Sequence, residues 1–333
     1  MSGMSKREGV LAALRGQEVD RVPVSFWGHD FLREWSAEGT AAAMLDAFRR
    51  YDLDYMKVNP RATYYAEAWG CIYRPSGDAT RGPETVDWVL KSAPDLESIR
   101  PLDGRQGPFA EQLQALRLIG DGLGGEAPFI QTVFSPLAVI GRLANGDLAA
   151  VRDYMEEAPQ ALDAALRAVA ETLARYAAAC LEAGASGVFF ATVDWASYDN
   201  ATPEQYDEVA RPYDLQVLEA VRDAEFNVLH VCRQNNMLER LWDYPVHAFN
   251  WASTQPGNLS LGEAREKTDK AVMGGISERT TLLEGTPEQV AAEVGGALAQ
   301  TGGRRHLLAP GCSVAPQAPE SNLRAAGEAV RGA

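Results

Sequence analysis

The chain has 333 residues, of which 46% are hydrophobic, and this is enough to bury a large core. Its formal net charge of −15 argues against nucleic acid or an anionic membrane as a main partner, because phosphate binding needs a basic patch. No apolar run approaches the roughly 20 residues of a membrane span, and the first residues lack the apolar region of a signal peptide. Four unevenly spaced cysteines are not a disulfide framework, so we expect a protein of the reducing cytoplasm.

Short β-rich runs alternate with helix-like stretches along the whole chain. The opening residues predict a short amphipathic helix, and the apolar runs that follow predict eight strands. We expect these strands at 21–27, 53–59, 129–134, 187–193, 226–232, 248–253, 271–277 and 305–311. Two of the intervening helices have a clear start signal, a Thr cap before a Pro at Thr202-Pro203 and at Thr286-Pro287.

The order of these elements predicts an α/β fold, a single (β/α)8 TIM barrel that spans residues 1–333. A doubly wound sheet is the structural alternative. The segment at about 70–103 is longer than an ordinary loop, so we expect it to form an excursion with its own hairpin. Because barrel enzymes place their active sites at the carboxyl ends of the strands, polar residues at those ends are the candidates for function.

Three side chains able to bind a metal lie at predicted strand ends. His230 and Cys232 end the fifth run, and Cys312 follows the eighth. Residues two apart on a strand point to the same face, so we expect His230 and Cys232 to face the barrel interior together. A His/Cys/Cys set leaves one position of a zinc ion open, which is the pattern of catalytic sites. The alternative is core packing, since a buried cysteine commonly behaves as a small hydrophobe.

Three further polar residues occupy similar positions. His29 follows the first run, and we expect it either to contact substrate or to cap the next helix. Asp194 follows the fourth run and Asn250 lies in the sixth; we expect them to contact substrate or to orient a metal ligand, with helix capping as the alternative for Asp194. The other cysteines and histidines are predicted to be structural: Cys71, Cys180, His247 and His306.

Several segments resemble the uroporphyrinogen decarboxylase superfamily, and together they cover almost the whole chain. They are REGVLAALRGQEVDRVPVSFW, YYAEAWG, TPEQYDEVARPYDLQVLEAVR, GGISERTTLLEGTPEQV and PGCSVAPQAPESNLRA. The resemblance implies one barrel domain over 1–333.

The decarboxylases of this superfamily have an R-Q-A-G-R type motif after the first strand and an Asp at the end of the second. Here these places read Gly28-His29-Asp30-Phe31-Leu32 and Val58-Asn59-Pro60-Arg61. The last strand ends in Gly311-Cys312-Ser313, where the decarboxylases have a G-H-G type sequence. Residues 28–32 therefore contain no Arg, and residues 58–61 contain no acid. A tetrapyrrole with many carboxylates needs Arg partners, so decarboxylation of a tetrapyrrole acid is the less favoured alternative.

The corrinoid-dependent methyltransferases of the superfamily resemble this chain more closely, because they have His-x-Cys after the fifth strand and Cys after the eighth. The resemblance implies that His230, Cys232 and Cys312 bind zinc, and that a small-molecule thiol takes the open position. It implies methyl transfer between that thiol and a corrinoid, either methylcobalamin or a corrinoid protein. Since the sequence has no D-x-H-x-x-G segment for cobalamin, we expect the corrinoid to be a substrate or to arrive on a partner.

Two further expectations rest on the same resemblance. Members of the superfamily are often dimers, so a homodimer is an expectation by analogy, and the sequence itself leaves the oligomeric state open. A non-enzymatic barrel that binds a corrinoid or a metal and delivers it to a partner is the third hypothesis, beside the methyltransferase and the decarboxylase.

Overall fold

The computed structural model describes residues 3–332. The strands in this part of the chain are β1 (Met56–Val58), β2 (Ile72–Arg74), β3 (Glu84–Asp87), β4 (Phe129–Phe134), β5 (Gly187–Ala191), β6 (Val228–Val231), β7 (Ala248–Trp251), β8 (Ala271–Ile276) and β9 (His306–Pro310). Seven of them form one parallel sheet in the order β1-β4-β5-β6-β7-β8-β9. A doubly wound sheet would reverse its order at a switch point, so the sequential order identifies a barrel and confirms the predicted fold class.

The first predicted strand, 21–27, differs from the expectation because it is not a regular strand. Its backbone still lies between β9 and β1: the Leu308 amide donates to the Pro23 carbonyl at 2.8 Å, and the Asp54 amide donates to the Val24 carbonyl at 2.9 Å. The Val24 amide, however, donates to the Asp54 carboxylate at 2.9 Å. The Asp54 side chain thus takes the place of a backbone carbonyl as the acceptor for Val24. The run 21–27 therefore bridges β9 and β1 through single backbone hydrogen bonds and does not form a continuous strand.

Helices connect the strands and cover the outside of the sheet. They are α1 (Lys6–Arg15), α2 (Ala37–Arg50), α3 (Tyr64–Ala68), α4 (Pro108–Leu123), α5 (Pro136–Leu143), α6 (Leu148–Glu157), α7 (Pro159–Glu182), α8 (Pro203–Val209), α9 (Arg211–Glu219), α10 (Leu261–Lys267), α11 (Thr281–Glu284), α12 (Pro287–Thr301) and α13 (Glu320–Arg331), with 3₁₀ turns at Ala93–Ser98 and Leu238–Arg240. Both predicted Thr caps are present: Thr202 accepts from the Gln205 amide and Thr286 from the Gln289 amide, each in a capping box. None of these helices combines the length and the apolar character needed to cross a membrane.

The segment at 70–103 leaves the barrel after α3. Strands β2 and β3 pair antiparallel there, separately from the barrel sheet, and the turn Ala93–Ser98 follows. The buried apolar residues of the barrel and of this excursion form a single contiguous cluster. The barrel strands are buried along their full lengths, because helices cover one face and the barrel interior the other. The polar side chains at the strand ends are therefore held on a rigid frame.

Candidate metal and active site

The three predicted metal ligands meet at the carboxyl ends of β6 and β9. His230 lies on β6, Cys232 directly follows that strand, and Cys312 comes two residues after β9. One ligand atom from each residue lies within 4.8 Å of the others. The two sulfur atoms are 3.8 Å apart and both thiols are free. Two thiolates bound at about 2.3 Å to one tetrahedral metal ion lie about 3.8 Å apart, so the donor set and its spacing fit zinc.

A buried amide fixes the orientation of His230. Its Nδ1 atom bonds Oδ1 of Asn250 at 2.6 Å, and the two residues are direct neighbours in the register of β6 and β7. The Asn250 Nδ2 atom donates to the carbonyls of Met273 and Pro310, at 2.9 and 3.1 Å. The amide can satisfy these carbonyls only with its nitrogen, so Oδ1 must face the imidazole and Nδ1 must carry the ring proton. The Nε2 lone pair is thereby left for a ligand.

A close backbone approach places Cys312. A Cβ atom on Gly311 would lie 2.5 Å from the Cα of Ala252, so a side chain at this position would push β9 and the residues after β7 apart. Gly311 therefore lets the chain turn tightly into the barrel mouth, where Cys312 comes within reach of Cys232. The sequence alone gave no sign of this contact.

The two thiols form a hydrogen-bonded pair, with their sulfur atoms 3.8 Å apart. The hydrogen bond from Cys232, together with the nearby His230, lowers the pKa of Cys312 well below its ordinary value. The same hydrogen bond and burial raise the pKa of Cys232 well above its ordinary value. Cys312 is therefore the sulfur that carries the first negative charge of the cluster.

Cys232 and Cys312 both line two cavities. The mouth cavity, which also contains Asp194, Arg233 and Glu278, has a volume of about 700 Å³. The inner cavity has a volume of about 160 Å³ and is lined by the same two cysteines; its lining also includes Trp27, His29, Lys57, Asn59, Phe189 and His230. Two cavities therefore adjoin the cluster.

Asp194 lies in the mouth cavity but does not hold His230. Its carboxylate accepts from Nε of Arg233 at 2.7 Å, and Arg233 adopts a left-handed backbone with φ of 73° directly after Cys232. Val193, next to Asp194, is also left-handed with φ of 53°, which costs energy for a β-branched residue. The ion pair thus links the loops after β5 and β6 at the edge of the site. Of the two residues predicted to orient His230, the structure brings only Asn250 into contact with it.

His29 lines the inner cavity and is held by a carboxylate. Its Nδ1 atom bonds Oε2 of Glu34 at 2.8 Å, and its ring stacks on Phe31 with the centroids 4.9 Å apart. Glu34 is buried, and its second carboxylate oxygen has no hydrogen-bond partner in the described residues. A buried carboxylate at Nδ1 favours a proton on that nitrogen and leaves Nε2 as the acceptor. The structure therefore places His29 beside the cluster and outside its ligand set.

Two buried ionisable residues near the cluster were missed by the sequence reasoning. Lys57 is 4% exposed, and burial lowers the pKa of its ammonium group to about 7, while Cys312 and Cys232 act in the opposite direction. Glu278, which follows β8, is 3% exposed, and burial raises the pKa of its carboxyl group. A lysine inside the apolar run LDYMKVN, two residues before Asn59, was the available signal for Lys57.

The remaining cysteines and histidines lie in other surroundings. Cys180 is fully buried on α7, where burial raises the pKa of its thiol, and Cys71 is buried at the start of β2. His306, on β9, contacts the Thr301 hydroxyl at 3.0 Å and the Gly274 carbonyl at 3.2 Å. His247 accepts from the Asn227 amide at 2.9 Å. Their contacts are those of packing and loop anchoring.

Comparison with known families gives a match over residues 5–333 to the family described as "Uroporphyrinogen decarboxylase (URO-D)". The chain belongs to the uroporphyrinogen decarboxylase family. The curated relatives include the methylcobamide:CoM methyltransferase MtbA of Methanosarcina acetivorans, 26% identical over 97% of each chain. They also include MtaA of Methanosarcina barkeri, 27% identical over 98% of this chain and 97% of the relative. A uroporphyrinogen decarboxylase of Synechococcus is 26% identical over 73% of this chain.

Solved structures give the same fold. A methyltransferase from Methanosarcina mazei matches 99% of both chains with a TM-score of 0.84 and 24% sequence identity. A B12-independent methionine synthase from Shewanella covers 94% of this chain with a TM-score of 0.62 and 14% identity. These matches cover nearly the whole chain and support the barrel fold.

Proposed function

We propose that this chain is a zinc-dependent methyltransferase that moves a methyl group between a corrinoid and a small thiol. The observation that carries the proposal is the convergence of His230, Cys232 and Cys312 at the barrel mouth, where two cavities are lined by both cysteines. Similarity to corrinoid methyltransferases over nearly the full length of both chains supports it. Decarboxylase relatives match a smaller share of the chain.

His230, Cys232 and Cys312 would hold the zinc through Nε2 and two sulfurs, leaving one position for a substrate. Zinc bound there lowers the pKa of a coordinating thiol, so that the thiolate is present at neutral pH. Asn250 acts as a positioning residue, since its Oδ1 atom keeps the proton of His230 on Nδ1. The rigid strands β6 and β7 hold this arrangement in place before substrate binds.

We assign the thiol and the methyl donor to different cavities. The inner cavity of about 160 Å³ is close in size to cavities that hold a benzene-sized molecule, so it suits the thiol. The mouth cavity is larger and partly solvent-exposed, with about half of the Arg233 side chain accessible, and it suits the methyl donor. Because Cys232 and Cys312 line both cavities, a thiol in one and a methyl donor in the other would meet at the cluster.

The chemical step is a transfer of a methyl cation equivalent. The electron pair of the substrate sulfur forms the new bond to the methyl carbon, and the electrons of the cobalt–carbon bond remain on the cobalt of the corrinoid. The thiol proton must leave before or during this step. We assign its acceptance to Nε2 of His29, because Glu34 engages the other ring nitrogen and His29 lines the inner cavity.

The test is thiol-dependent demethylation of methylcobalamin, followed by the absorbance of the corrinoid. The zinc-loaded protein should demethylate the corrinoid only when thiol is present, and Cys312→Ala should lose at least 99% of the rate. The Cys180→Ala variant is the matched control and should keep the wild-type rate, because Cys180 lies on α7 away from the cluster. A zinc-loaded wild type that binds zinc and thiol but transfers no methyl group, even from a corrinoid protein, would favour the carrier hypothesis.

A further inference from the structure

Cys232 and Cys312 hold two free sulfur atoms side by side, although 80 positions of the chain separate them. Their Sγ atoms are 3.8 Å apart. The sulfurs of a disulfide are about 2 Å apart, so a combined movement of about 1.8 Å would bring these two within bonding distance. Cys232 directly follows β6 and Cys312 lies in the loop after β9, so the bond would join two loops of the barrel mouth.

Reagents in solution can reach this pair. Both cysteines are partly exposed, and both line the mouth cavity of about 700 Å³. About half of the side chain of Arg233, the residue after Cys232, is also accessible. A cavity of this size falls within the range that admits drug-sized molecules, so a small disulfide can enter and meet the sulfurs.

Cys71 and Cys180 differ from the pair in burial and in surroundings. Cys180 is fully buried on α7, and Cys71 is 4% exposed just before β2. Among residues 3–332, Cys232 and Cys312 are the only cysteines whose sulfurs contact each other. Oxidation of the folded protein should therefore be selective for this one pair.

Metal binding and disulfide formation make competing demands on the two sulfurs. A cysteine binds a metal as its thiolate, and a disulfide sulfur carries no such charge. With both sulfurs oxidised, His230 is the one member of the cluster that could still bind zinc. A single imidazole does not replace the three protein ligands of a catalytic zinc site. The cluster is therefore either open to zinc or closed by the bond.

We propose that Cys232 and Cys312 form a reversible disulfide in the metal-free protein, and that this bond is a redox switch that prevents zinc loading. The consequence for methyl transfer rests on the proposed function, because only a zinc-dependent activity would be switched off. The bond itself depends on the two thiols alone.

The oxidant is a low-molecular-weight disulfide, and the reaction proceeds by two exchange steps. The thiolate of one cysteine attacks a sulfur of the reagent, so that a mixed disulfide forms and one reagent thiolate leaves. The thiolate of the second cysteine then attacks the cysteine sulfur of the mixed disulfide and releases the second reagent thiolate. Two protein thiols are oxidised, one reagent disulfide is reduced to two thiols, and the two protons of the cysteines end on the released thiols or in water.

A role as metal ligands alone is the competing explanation for the closeness of the two sulfurs. It predicts that glutathione disulfide leaves separate mixed disulfides on the two cysteines, or no modification, in the metal-free protein. The redox switch predicts an internal bond between them. The products of oxidation therefore distinguish the two explanations.

The experiment treats metal-free, fully reduced protein with glutathione disulfide. Thiols titrated after denaturation should fall from four to two, and mass spectrometry of a tryptic digest should find the peptide of Cys232 joined to that of Cys312. Zinc uptake of the oxidised protein should fall by about tenfold or more, because two of three ligands are lost. Dithiothreitol should restore both the four thiols and the zinc uptake.

Two variants and the zinc-loaded wild type are the controls. Cys180→Ala should lose two thiols as the wild type does. Cys312→Ser should carry glutathione on Cys232 and form no link between peptides. The zinc-loaded wild type should keep all four thiols under conditions that oxidise the metal-free protein. Equally fast linkage with zinc bound would overturn the exclusion between the two states, and with it the switch.

The outcomes also separate this inference from the proposed function. Four free thiols, or mixed disulfides without a peptide link, in the treated metal-free wild type would show that the switch is wrong, even if the zinc-loaded protein transfers methyl groups. A link that forms and blocks zinc uptake supports the switch. If the zinc-loaded protein then transfers no methyl group, the proposed function fails and the switch on metal binding stands.

Discussion

His230 and Asn250 are cross-strand neighbours on β6 and β7, and the imidazole Nδ1 atom lies 2.6 Å from the amide oxygen. Two backbone carbonyls hold the amide nitrogen, so the oxygen cannot turn away from the imidazole. The barrel thus determines which nitrogen of His230 is free before any ligand arrives.

Replacement of Asn250 by Ala should weaken zinc binding by about 10- to 100-fold, which is the usual effect of losing the partner of a metal-bound histidine. The ring would lose its orientation, and the carbonyls of Met273 and Pro310 would lose their donor. Competition with a chelator of known affinity measures the change. Gln131→Ala is the matched control, because Gln131 is a buried amide on β4 that donates to Tyr176, away from the cluster. Equal zinc affinity of Asn250→Ala and the wild type would rule out the positioning role.

Replacement of His29 by Gln should lower the rate of methyl transfer by about 10²- to 10⁴-fold, the range for loss of a general base, while zinc content stays unchanged. His29 bonds Glu34 and lies outside the ligand set, so the metal does not depend on it. Activity of the variant should recover toward the wild-type value at higher pH, where more of the thiol is already ionised. A loss of zinc in His29→Gln would show that the residue supports the metal site instead.

Replacement of Gly311 by Ala should reduce zinc binding without altering any ligand. The added Cβ would lie 2.5 Å from the Cα of Ala252, so the segment that carries Cys312 must move. Metal content and thermal unfolding of the metal-free protein, measured together, separate a local shift from general destabilisation. Gly295→Ala on α12 is a suitable control, because a Cβ there meets no atom within 4 Å. Unchanged zinc affinity in Gly311→Ala would contradict the close-approach argument.

Asp214 predicts a pH dependence of stability that is independent of the metal. The side chain is buried on α9 and accepts from the Tyr206 and Tyr244 hydroxyls at 2.8 and 3.0 Å. Burial raises its pKa to about 7, and the tyrosines and Arg211 act in the opposite direction. The folded protein therefore keeps this proton up to about pH 7, whereas the unfolded chain loses it near pH 4.

Because the folded state binds more protons between these values, the contribution of Asp214 to stability is present below about pH 4 and is lost as the pH rises to 7. The slope is at most about 1.4 kcal/mol per pH unit. Asp214→Asn removes it, so the free energy of unfolding of the variant minus that of the wild type should increase from pH 4.5 to pH 7.5. Urea unfolding at both pH values measures this difference, and a difference that does not change with pH would show that Asp214 ionises normally.

The sequence was sufficient to predict the barrel and most of its strands, because apolar runs alternate regularly with helical stretches. It was not sufficient for the run 21–27, where the Asp54 side chain replaces a backbone partner of Val24. Local patterns carry no information about such a long-range side-chain contact. The same limit explains why a regular strand was expected there.

The candidate site was predicted to a similar degree. The positions of His230, Cys232 and Cys312 at strand ends could be read from the chain, and the structure brings them together. A lysine inside the apolar run LDYMKVN was a signal, but it did not suffice to predict that Lys57 is buried, because a lysine within a short strand is equally typical of an exposed face. Its burial depends on Trp27 and Phe189, which come from other parts of the barrel.

The most direct test of the account is the zinc content per chain of the wild type and of Cys312→Ala, with Cys180→Ala as control. After loading with zinc and removal of free metal, the account predicts about one zinc per chain in the wild type and in Cys180→Ala, and a clear loss in Cys312→Ala. A wild type that binds no zinc when purified without chelators and then supplied with the metal would contradict the account. His230, Cys232 and Cys312 would then be packing residues of the barrel mouth.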